Sequence, residues 1–170
     1  LTMISGLGAF EKAVPSSLKT IAFGSEVFPA RQLALWRKYV PNARYINLYG
    51  PTEATGMSCY YVVDRKFKED EVIPIGRPFP NTGILLLNED GKEVTQGEKG
   101  EICIRGTAVT MGYYRQPEKT AGNFVQNPLN KDYPEIIYKT GDLGYYNDRG
   151  ELMFASRKDY QIKHMGHRIE

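Results

Sequence analysis

Residues 45–49 form a short run of aromatic and branched side chains that ends abruptly at Gly50 and Pro51. The run is typical of a buried strand, and proline ends it because proline has no N–H to give to a sheet and its φ angle is fixed. A hydroxyl and a carboxylate follow at once, on Thr52 and Glu53. Ligands of open α/β sheets bind beyond the carboxyl ends of the strands, and phosphate and Mg²⁺ take such oxygens. An ordinary β-turn is the alternative interpretation of the same residues.

The segment before this run has the pattern of a strand, a helix and a second strand. Residues 18–23 are typical of the first strand. The helix begins near Pro29 and buries a stripe that contains Leu33 and Trp36. The unit predicts two parallel strands, because short strand–helix–strand connections give parallel pairs. The small-residue loops after the two strands should then lie side by side and form a cleft suited to a nucleotide.

The predicted fold class is α/β plus β. Residues 1–74 are interpreted as the βαβ part of a parallel-containing sheet. Residues 75–157 have closely spaced short strands, which predict a small antiparallel, β-barrel-like lobe. Residues 158–170 are interpreted as a hinge and the start of a further domain.

Smaller elements are predicted within these parts. A short helix is expected at residues 10–14 and another at 117–124, and residues 64–71 should be a solvated charged loop. Residues 136–139 and 144–146 are predicted as separate strands on either side of a turn at 140–143.

Charge and cysteine content exclude several classes of partner. The net charge is +2, from 22 basic and 20 acidic residues without long runs of one sign, so neither nucleic acid nor a membrane surface is an expected partner. No apolar stretch approaches the ~20 residues of a membrane span. Cys59 and Cys103 lie among apolar residues and are predicted to be buried free thiols, which favours a cytosolic, cytoplasmic protein. Both ends look cut, and we expect a piece of a longer protein.

Several motifs in order then identify a resemblance to a known family. The chain resembles the adenylate-forming, AMP-binding enzymes, which include adenylation domains of nonribosomal peptide synthetases, D-alanine–carrier-protein ligases, acyl- and aryl-CoA ligases and luciferases. The form of the motifs is most similar to the amino-acid-activating branch. The motifs comprise residues 48–53, 97–102 with 112–114, 138–143, 156–163 and 166–170.

The resemblance implies an activity with two half-reactions. A carboxylic acid substrate, expected to be an amino acid, attacks the α-phosphate of ATP–Mg²⁺ and gives acyl-AMP and pyrophosphate. A phosphopantetheine thiol of a carrier protein then takes the acyl group. The transition state gathers negative charge on phosphoryl oxygens, so fixed donors and a metal must be aimed there.

The same resemblance assigns the residues that follow the second strand. Thr52 would contact the α-phosphate and Glu53 would hold Mg²⁺. Tyr49, followed by Gly50, would lie along adenine, and Asn47 would meet its exocyclic amine.

It also assigns the first loop and two distant residues. Gly24, Ser25 and Glu26 would form the other loop beside adenine. Asp142 would accept both ribose hydroxyls, since a carboxylate has two acceptor oxygens, and Arg157 would reach the ribose.

Two further sets of positions come from the resemblance. Asp159 would be the hinge about which a C-terminal domain rotates between the half-reactions. A pocket for the acyl group would be lined partly by five residues. One of them, Phe23, is bulky, which indicates a small or constrained side chain on the substrate. The five are Ile21, Phe23, Leu48, Gly56 and Met57.

Without the family, each assignment has a structural alternative. Tyr49 could be a core residue that ends a strand, and Asp142 could simply form a turn. Arg157 and Asp159 could belong to a solvated charged loop, and Glu26 could cap the segment that follows it.

Some family features lie outside these residues, and one position departs from the pattern. The phosphate loop that grips the β- and γ-phosphates, the acidic anchor for the substrate's amino group and the C-terminal lysine have no counterpart here. Ser156 stands where the family has glycine. We therefore expect the isolated 170-residue chain to be inactive. The alternatives are an aryl- or fatty-acyl-CoA ligase of the same family, or a non-catalytic binding module.

Overall fold

The computed structural model describes residues 1–158, 162–164 and 167–169, and its strands form a mixed sheet, an antiparallel sheet and a terminal two-stranded pair. The first part of the chain contains a 3₁₀ turn at Ala9–Glu11 and another at Thr52–Ala54. Its other elements are α1 (Thr2–Gly6), β1 (Thr20–Gly24), α2 (Ala30–Tyr39), β2 (Arg44–Tyr49), β3 (Cys59–Val62) and β4 (Arg77–Pro78).

The mixed sheet has the order β1-β2-β3-β4. Strands β1 and β2 are parallel, with Gly24 opposite Leu48, whereas β3 and β4 continue the sheet antiparallel. The parallel pair predicted from the strand–helix–strand pattern is confirmed. Strand β2 ends at Tyr49, immediately before Gly50 and Pro51, for the reason that the sequence indicates.

Helix α2 packs its buried stripe against this sheet. Leu33 and Trp36 are almost completely buried, and Trp36 meets Phe10 edge to face, with ring centroids 4.8 Å apart. The hydroxyl of Tyr45 on β2 lies 2.8 Å and 2.9 Å from the carbonyl oxygens of Trp36 and Val40. The last turn of α2 is therefore held over the strand that leads to the Gly50 turn.

The second part of the chain forms an antiparallel sheet in which one long strand is central. Strand β8 pairs with β6 along one edge. Along its other edge, its first residues pair with β7 and its last residues pair with β9, and β5 pairs with the free side of β6. The α/β plus β fold class is therefore confirmed, with a mixed sheet followed by a curled antiparallel lobe. The elements are β5 (Thr82–Leu87), β6 (Gly100–Gly106), α3 (Pro117–Asn123), β7 (Phe124–Gln126), β8 (Ile136–Tyr146), β9 (Leu152–Arg157), β10 (Ile162–His164) and β11 (His167–Ile169).

The two sheets share a core and a backbone contact. The amide of Ile75 donates to the carbonyl of Leu152 at 2.9 Å, and both side chains pack with Cys59, Leu86 and Ile102. Burial raises the pKa of the Cys59 and Cys103 thiols to about 12. Both cysteines are buried and free, as the sequence predicts.

The charged segment 64–71 contains no helix or strand but is anchored at both lobes. Arg65 pairs with Glu71 at 2.5 Å and with Glu151 of the antiparallel lobe at 3.5 Å. Phe67 packs against the core that contains Leu33 and Trp36, with its ring centroid 6.2 Å from that of Tyr61. The predicted loop is therefore irregular, but it is more tightly held than a fully solvated connection.

Two predictions of secondary structure are wrong. Residues 136–146 form one strand, because the hydroxyl of Thr140 donates to the carbonyl of Ile102 and itself accepts from the amide of Asp142, so that a bulge absorbs the residues of the predicted turn. Near the start of the chain, helix α1 ends at Gly6, and only the 3₁₀ turn Ala9–Glu11 overlaps the helix expected at 10–14. There the aromatic ring of Phe10 is a core contact rather than part of a helical stripe.

None of the helices in the described ranges is long and apolar enough to cross a membrane.

Glu135 organises the loop between β7 and β8. One oxygen accepts from Asn127 at 2.6 Å and from Asn130 at 3.2 Å, and the other pairs with Arg105 at 3.2 Å. The Asn127 and Asn130 hydrogen bonds, and then the Arg105 pair, lower the pKa of Glu135 below its ordinary value of 4.5.

We expect Glu135→Gln to reduce stability at pH 7 by about 1 kcal/mol, since charge-assisted hydrogen bonds are lost. A carboxyl whose pKa is lower in the folded than in the unfolded state stabilises above the unfolded pKa, and this contribution disappears as the pH falls through the folded pKa. The difference in thermal midpoint between wild type and variant should therefore shrink as the pH falls below about 4.5. Glu89→Gln, at an exposed turn, is the control. A difference that grows in acid would contradict the assignment.

Candidate functional site

A cavity of about 440 Å³ opens where the ends of β1 and β2 face strands β8 and β9. Both its polar and its apolar lining residues come from both parts of the chain. The lining residues are Ser25, Glu26, Val27, Phe28, Asn47, Leu48, Tyr49, Gly50, Val72, Ile73, Ile75, Asp142, Phe154 and Arg157.

Most of the residues predicted to contact a nucleotide line this cavity. Seven of them do so, namely Ser25, Glu26, Asn47, Tyr49, Gly50, Asp142 and Arg157. Gly24 lines an adjacent hollow of about 380 Å³ that shares residues 25–28 with the cavity. The parallel pairing of β1 with β2 is the cause, because it brings both loops to one edge of the sheet.

Close backbone approaches explain two of the glycines in these loops. A Cβ on Gly24 would lie 2.3 Å from the carbonyl oxygen of Leu48, across the parallel pair. A Cβ on Gly50 would lie 2.1 Å from the carbonyl oxygen of Gly56, where the chain folds back and the amide of Ser58 donates to the carbonyl of Tyr49 at 2.7 Å. Any side chain at either position would push the loop away from the cavity edge.

Asp142 joins the two lobes at the cavity. Its Oδ2 accepts from the Tyr49 hydroxyl at 2.6 Å, and its Oδ1 accepts from Nη1 of Arg157 at 2.7 Å. Burial, and then the Asp142 carboxylate, raise the pKa of Tyr49 well above its ordinary value, so the phenol stays protonated and donates. These two bonds orient the Asp142 carboxylate, and such a group has about four acceptor positions in all.

The backbone around Asp142 is held by a second carboxylate. Glu101 on β6 accepts from the amide of Gly141 at 3.0 Å, and its other oxygen lies 3.4 Å from Nζ of Lys158 and 3.8 Å from Nζ of Lys139. The amide of Lys158 also donates to the carbonyl of Gly141 at 2.8 Å. The bulge that carries Asp142 is therefore fixed from both neighbouring strands.

Asn47 is buried and its amide is oriented by the backbone. Its Nδ2 donates to the carbonyl of Pro74 at 2.8 Å, which uses one of its two N–H donors and fixes the orientation of the amide. The acceptor oxygen is then the group suited to meet an amine on a ligand in the cavity.

Thr52 and Glu53 follow β2 but do not line the 440 Å³ cavity. Thr52 is exposed, whereas Glu53 is buried and its Oε1 accepts from the Tyr113 hydroxyl at 2.7 Å. The amide of Thr110 donates to the carbonyl of Glu53 at 2.9 Å, so a loop of the antiparallel lobe closes over this turn.

The assignment of five residues to an acyl pocket stays a prediction, and the structure places these residues as follows. Ile21 and Phe23 pack in the core with Phe28 and α2, and Phe23 also borders the smaller hollow. Leu48 lines the larger cavity. Met57 is 40% exposed, and a Cβ on Gly56 would meet open space. The predicted hinge, Asp159, lies outside the described residues.

Sequence reasoning did not identify Tyr113 or the apolar side chains of the cavity. Tyr113 is part of a recognised motif, but nothing in the sequence links it to Glu53, 60 positions away. Ile73, Ile75 and Phe154 look like ordinary core residues, and only the three-dimensional arrangement separates a cavity lining from a core.

Comparisons with known proteins agree on one family. The family described as AMP-binding enzyme matches residues 2–114. Bacitracin synthase 1 of Bacillus licheniformis is 39% identical over 155 residues, which is 91% of this chain and 3% of that protein. The D-alanine–D-alanyl carrier protein ligase of Streptococcus pneumoniae (strain 70585) is 40% identical over 149 residues, or 87% of this chain and 28% of that protein.

Solved structures give the same result. The structure of holo-PA1221, described as an NRPS protein containing adenylation and PCP domains bound to a vinylsulfonamide inhibitor, matches with a TM-score of 0.83 and 32% identity. The match covers 89% of this chain and 26% of that one. The chain thus spans only a minor part of the length of the proteins that it resembles.

Proposed function

Since the chain belongs to the AMP-binding enzyme family, we propose that it is the nucleotide-binding part of a longer, ATP-dependent adenylating ligase. The ligase would join a carboxylic acid, expected to be an amino acid, to AMP and then transfer the acyl group to the phosphopantetheine thiol of a carrier protein. The observation that carries this proposal is the cavity where Asn47, Tyr49, Asp142 and Arg157 converge from two lobes.

The cavity has the chemistry that AMP requires. Tyr49, Ile73, Ile75 and Phe154 offer flat or apolar surface to a purine, and the acceptor oxygen of Asn47 suits the exocyclic amine. Asp142 offers carboxylate oxygens to two ribose hydroxyls, and Arg157 supplies positive charge beside it.

The turn after β2 would hold the phosphates. The side chain of Thr52 is exposed, and its hydroxyl can donate to the α-phosphate. The hydrogen-bonded turn after Gly50 fixes the backbone position from which this side chain extends. In the first half-reaction, a carboxylate oxygen of the acid forms a bond to the α-phosphorus while the bond to the β-phosphate oxygen breaks, and pyrophosphate leaves. Thr52 would donate to an oxygen on which negative charge increases.

Glu53 fits a Mg²⁺ ion that is held mainly by the nucleotide. Glu53 would supply one carboxylate to the cation, and phosphate oxygens and water would supply the remaining ligands. When bound, Mg²⁺ would neutralise charge on the phosphates.

The carrier protein and the amino-acid substrate rest on the relatives. The relatives include a D-alanine–D-alanyl carrier protein ligase and an adenylation–PCP protein, which supports a carrier-bound thiol as the acceptor. An aryl- or fatty-acyl-CoA ligase is the alternative within the family, and a non-catalytic binding module is the alternative outside it. We propose a cytoplasmic location because Cys59 and Cys103 are free thiols.

Acid-dependent exchange of pyrophosphate into ATP tests the proposal. The full-length protein should catalyse exchange with one or a few amino acids and should load that amino acid onto a phosphopantetheinylated carrier protein. The isolated 170-residue chain should give no exchange, because it spans only 3% and 28% of the length of the two relatives described above. Exchange driven only by aryl or fatty acids would favour the alternative ligase. No exchange with any acid, despite intact ATP binding, would favour a binding module.

A further inference from the structure

The carboxylate of Glu53 is held by a side chain from the other lobe. The Tyr113 hydroxyl donates to Oε1 of Glu53 at 2.7 Å, and Glu53 is only 7% exposed. The loop that carries Tyr113 is joined to the Glu53 turn by two further bonds. The amide of Thr110 donates to the carbonyl of Glu53, and the hydroxyl of Thr55 donates to the carbonyl of Ala108 at 2.7 Å. The contact is therefore part of a three-point junction rather than a chance approach of two long side chains.

Helix α3 and strand β7 fix the position of the Tyr113 ring. The amide of Tyr113 donates to Oγ1 of Thr120 at 2.9 Å, and Thr120 in turn donates to the carbonyl of Gln116. The ring meets Phe124 edge to face, with centroids 5.6 Å apart and an interplanar angle of 79°, and Nζ of Lys119 lies 4.9 Å from its centroid. A phenol held at its backbone, its ring face and its ring edge can direct its hydroxyl with little freedom.

A second phenol lies behind the first. The hydroxyl of Tyr138 on β8 is 3.4 Å from that of Tyr113. The Tyr138 ring packs against Phe124 with centroids 4.9 Å apart, so the second phenol is also held in place beside the Tyr113 hydroxyl.

We propose that Tyr113 is a positioning residue for Glu53, which fixes the carboxylate in the orientation that receives a divalent cation with the nucleotide. The inference rests on the proposed function, because it assigns Glu53 to the cation. Tyr113 does not touch the substrate; it acts by restricting rotation of the Glu53 side chain through one directed hydrogen bond to Oε1. Partners that orient metal ligands in this way change metal affinity or activity by about ten- to a hundredfold when they are removed.

The test compares Tyr113→Phe with Tyr114→Phe in the full-length protein. Tyr114 is the matched control, since it is the next residue, loses the same atom and is 83% exposed. Mn²⁺ is the probe, and its binding to the protein with a non-hydrolysable ATP analogue is followed by the loss of the free-ion electron paramagnetic resonance signal. Tyr113→Phe should weaken Mn²⁺ binding by about tenfold or more, with Tyr114→Phe unchanged. The Mg²⁺ concentration for half-maximal exchange should rise in parallel.

Further measurements separate the proposed role from a loss of folding. The thermal midpoint and the affinity for AMP without metal should stay close to wild type in Tyr113→Phe. If the variant folds poorly, Tyr138→Phe supplies a second test, and it should weaken Mn²⁺ binding in the same direction by a smaller factor. Unchanged Mn²⁺ binding in a folded Tyr113→Phe protein overturns the inference. If Glu53→Gln also leaves Mn²⁺ binding and exchange intact, it is the proposed function that fails.

Discussion

Replacing Glu53 with glutamine in the full-length protein should lower acid-dependent ATP–pyrophosphate exchange by on the order of 10³-fold or more. A metal at a developing negative charge supplies several kcal/mol, and each ~1.4 kcal/mol corresponds to a tenfold change in rate. Glutamine keeps the size of the side chain and an oxygen that can accept from Tyr113, which donates to Oε1 at 2.7 Å in the wild type. The substitution therefore removes charge and a metal ligand while leaving the turn in place.

The readout is the initial rate of exchange at saturating ATP, acid and Mg²⁺. Glu69→Gln is the control, because it makes the same chemical change at an exposed position of the charged loop. A Glu53→Gln protein that keeps wild-type turnover would show that this carboxylate takes no part in catalysis. That result would favour a non-catalytic module in which the motif is a remnant.

Replacing Asp142 with alanine should raise the KM for ATP by about a hundredfold. Hydrogen bonds to a charged partner contribute about 1.5–3 kcal/mol each, and the substitution removes an acceptor from ribose as well as from Tyr49 and Arg157. The rise in KM should exceed that caused by substitution of a surface carboxylate, because the side chains of Arg157 and Asp142 are only 18% and 13% exposed. Asp148→Ala, at an exposed turn after β8, is the control.

A nucleotide lacking both ribose hydroxyls makes the Asp142 test specific. The wild type should bind ATP much more tightly than 2′,3′-dideoxy-ATP, and Asp142→Ala should bind the two with similar affinity. If the variant still discriminates between them, Asp142 does not contact the ribose, even if the KM rises through a change in the fold.

Local chemistry made the first half of the chain predictable. The stop after Tyr49, the buried stripe of α2 and the connection of β1 to β2 all depend on near neighbours in sequence, so the parallel pair could be predicted. The continuity of strand β8 could not be predicted, because a Thr-Gly-Asp sequence also suits a turn. The strand stays continuous because the Thr140 hydroxyl and the Gly141 amide donate to Ile102 and Glu101, which both belong to strand β6.

The candidate site was predicted from sequence only where a motif carries it. The meeting of Tyr49 and Asp142, 93 positions apart, follows from the resemblance and from no local pattern. The role of Tyr113 stayed hidden because the motif marks its position but does not name its partner. The acyl-pocket role of Ile21 and Phe23 stays a prediction; in the described residues both side chains pack in the core with α2, and Phe23 also borders the smaller hollow.

Strand β8 gives the site a fixed spacer. Tyr138 lies beside the Glu53 junction and Asp142 beside Tyr49, four residues apart on β8. The bulge at residues 140–143 keeps their spacing below the ~13 Å that four residues of extended strand would span. Under the proposed function, this part of β8 sets how far the ribose of the bound nucleotide lies from the cation. Lengthening β8 by two residues between Tyr138 and the bulge would separate the two ends by up to roughly 7 Å more. The distance between the two ends of the site therefore depends on the length of the strand, independently of which side chains bind the nucleotide.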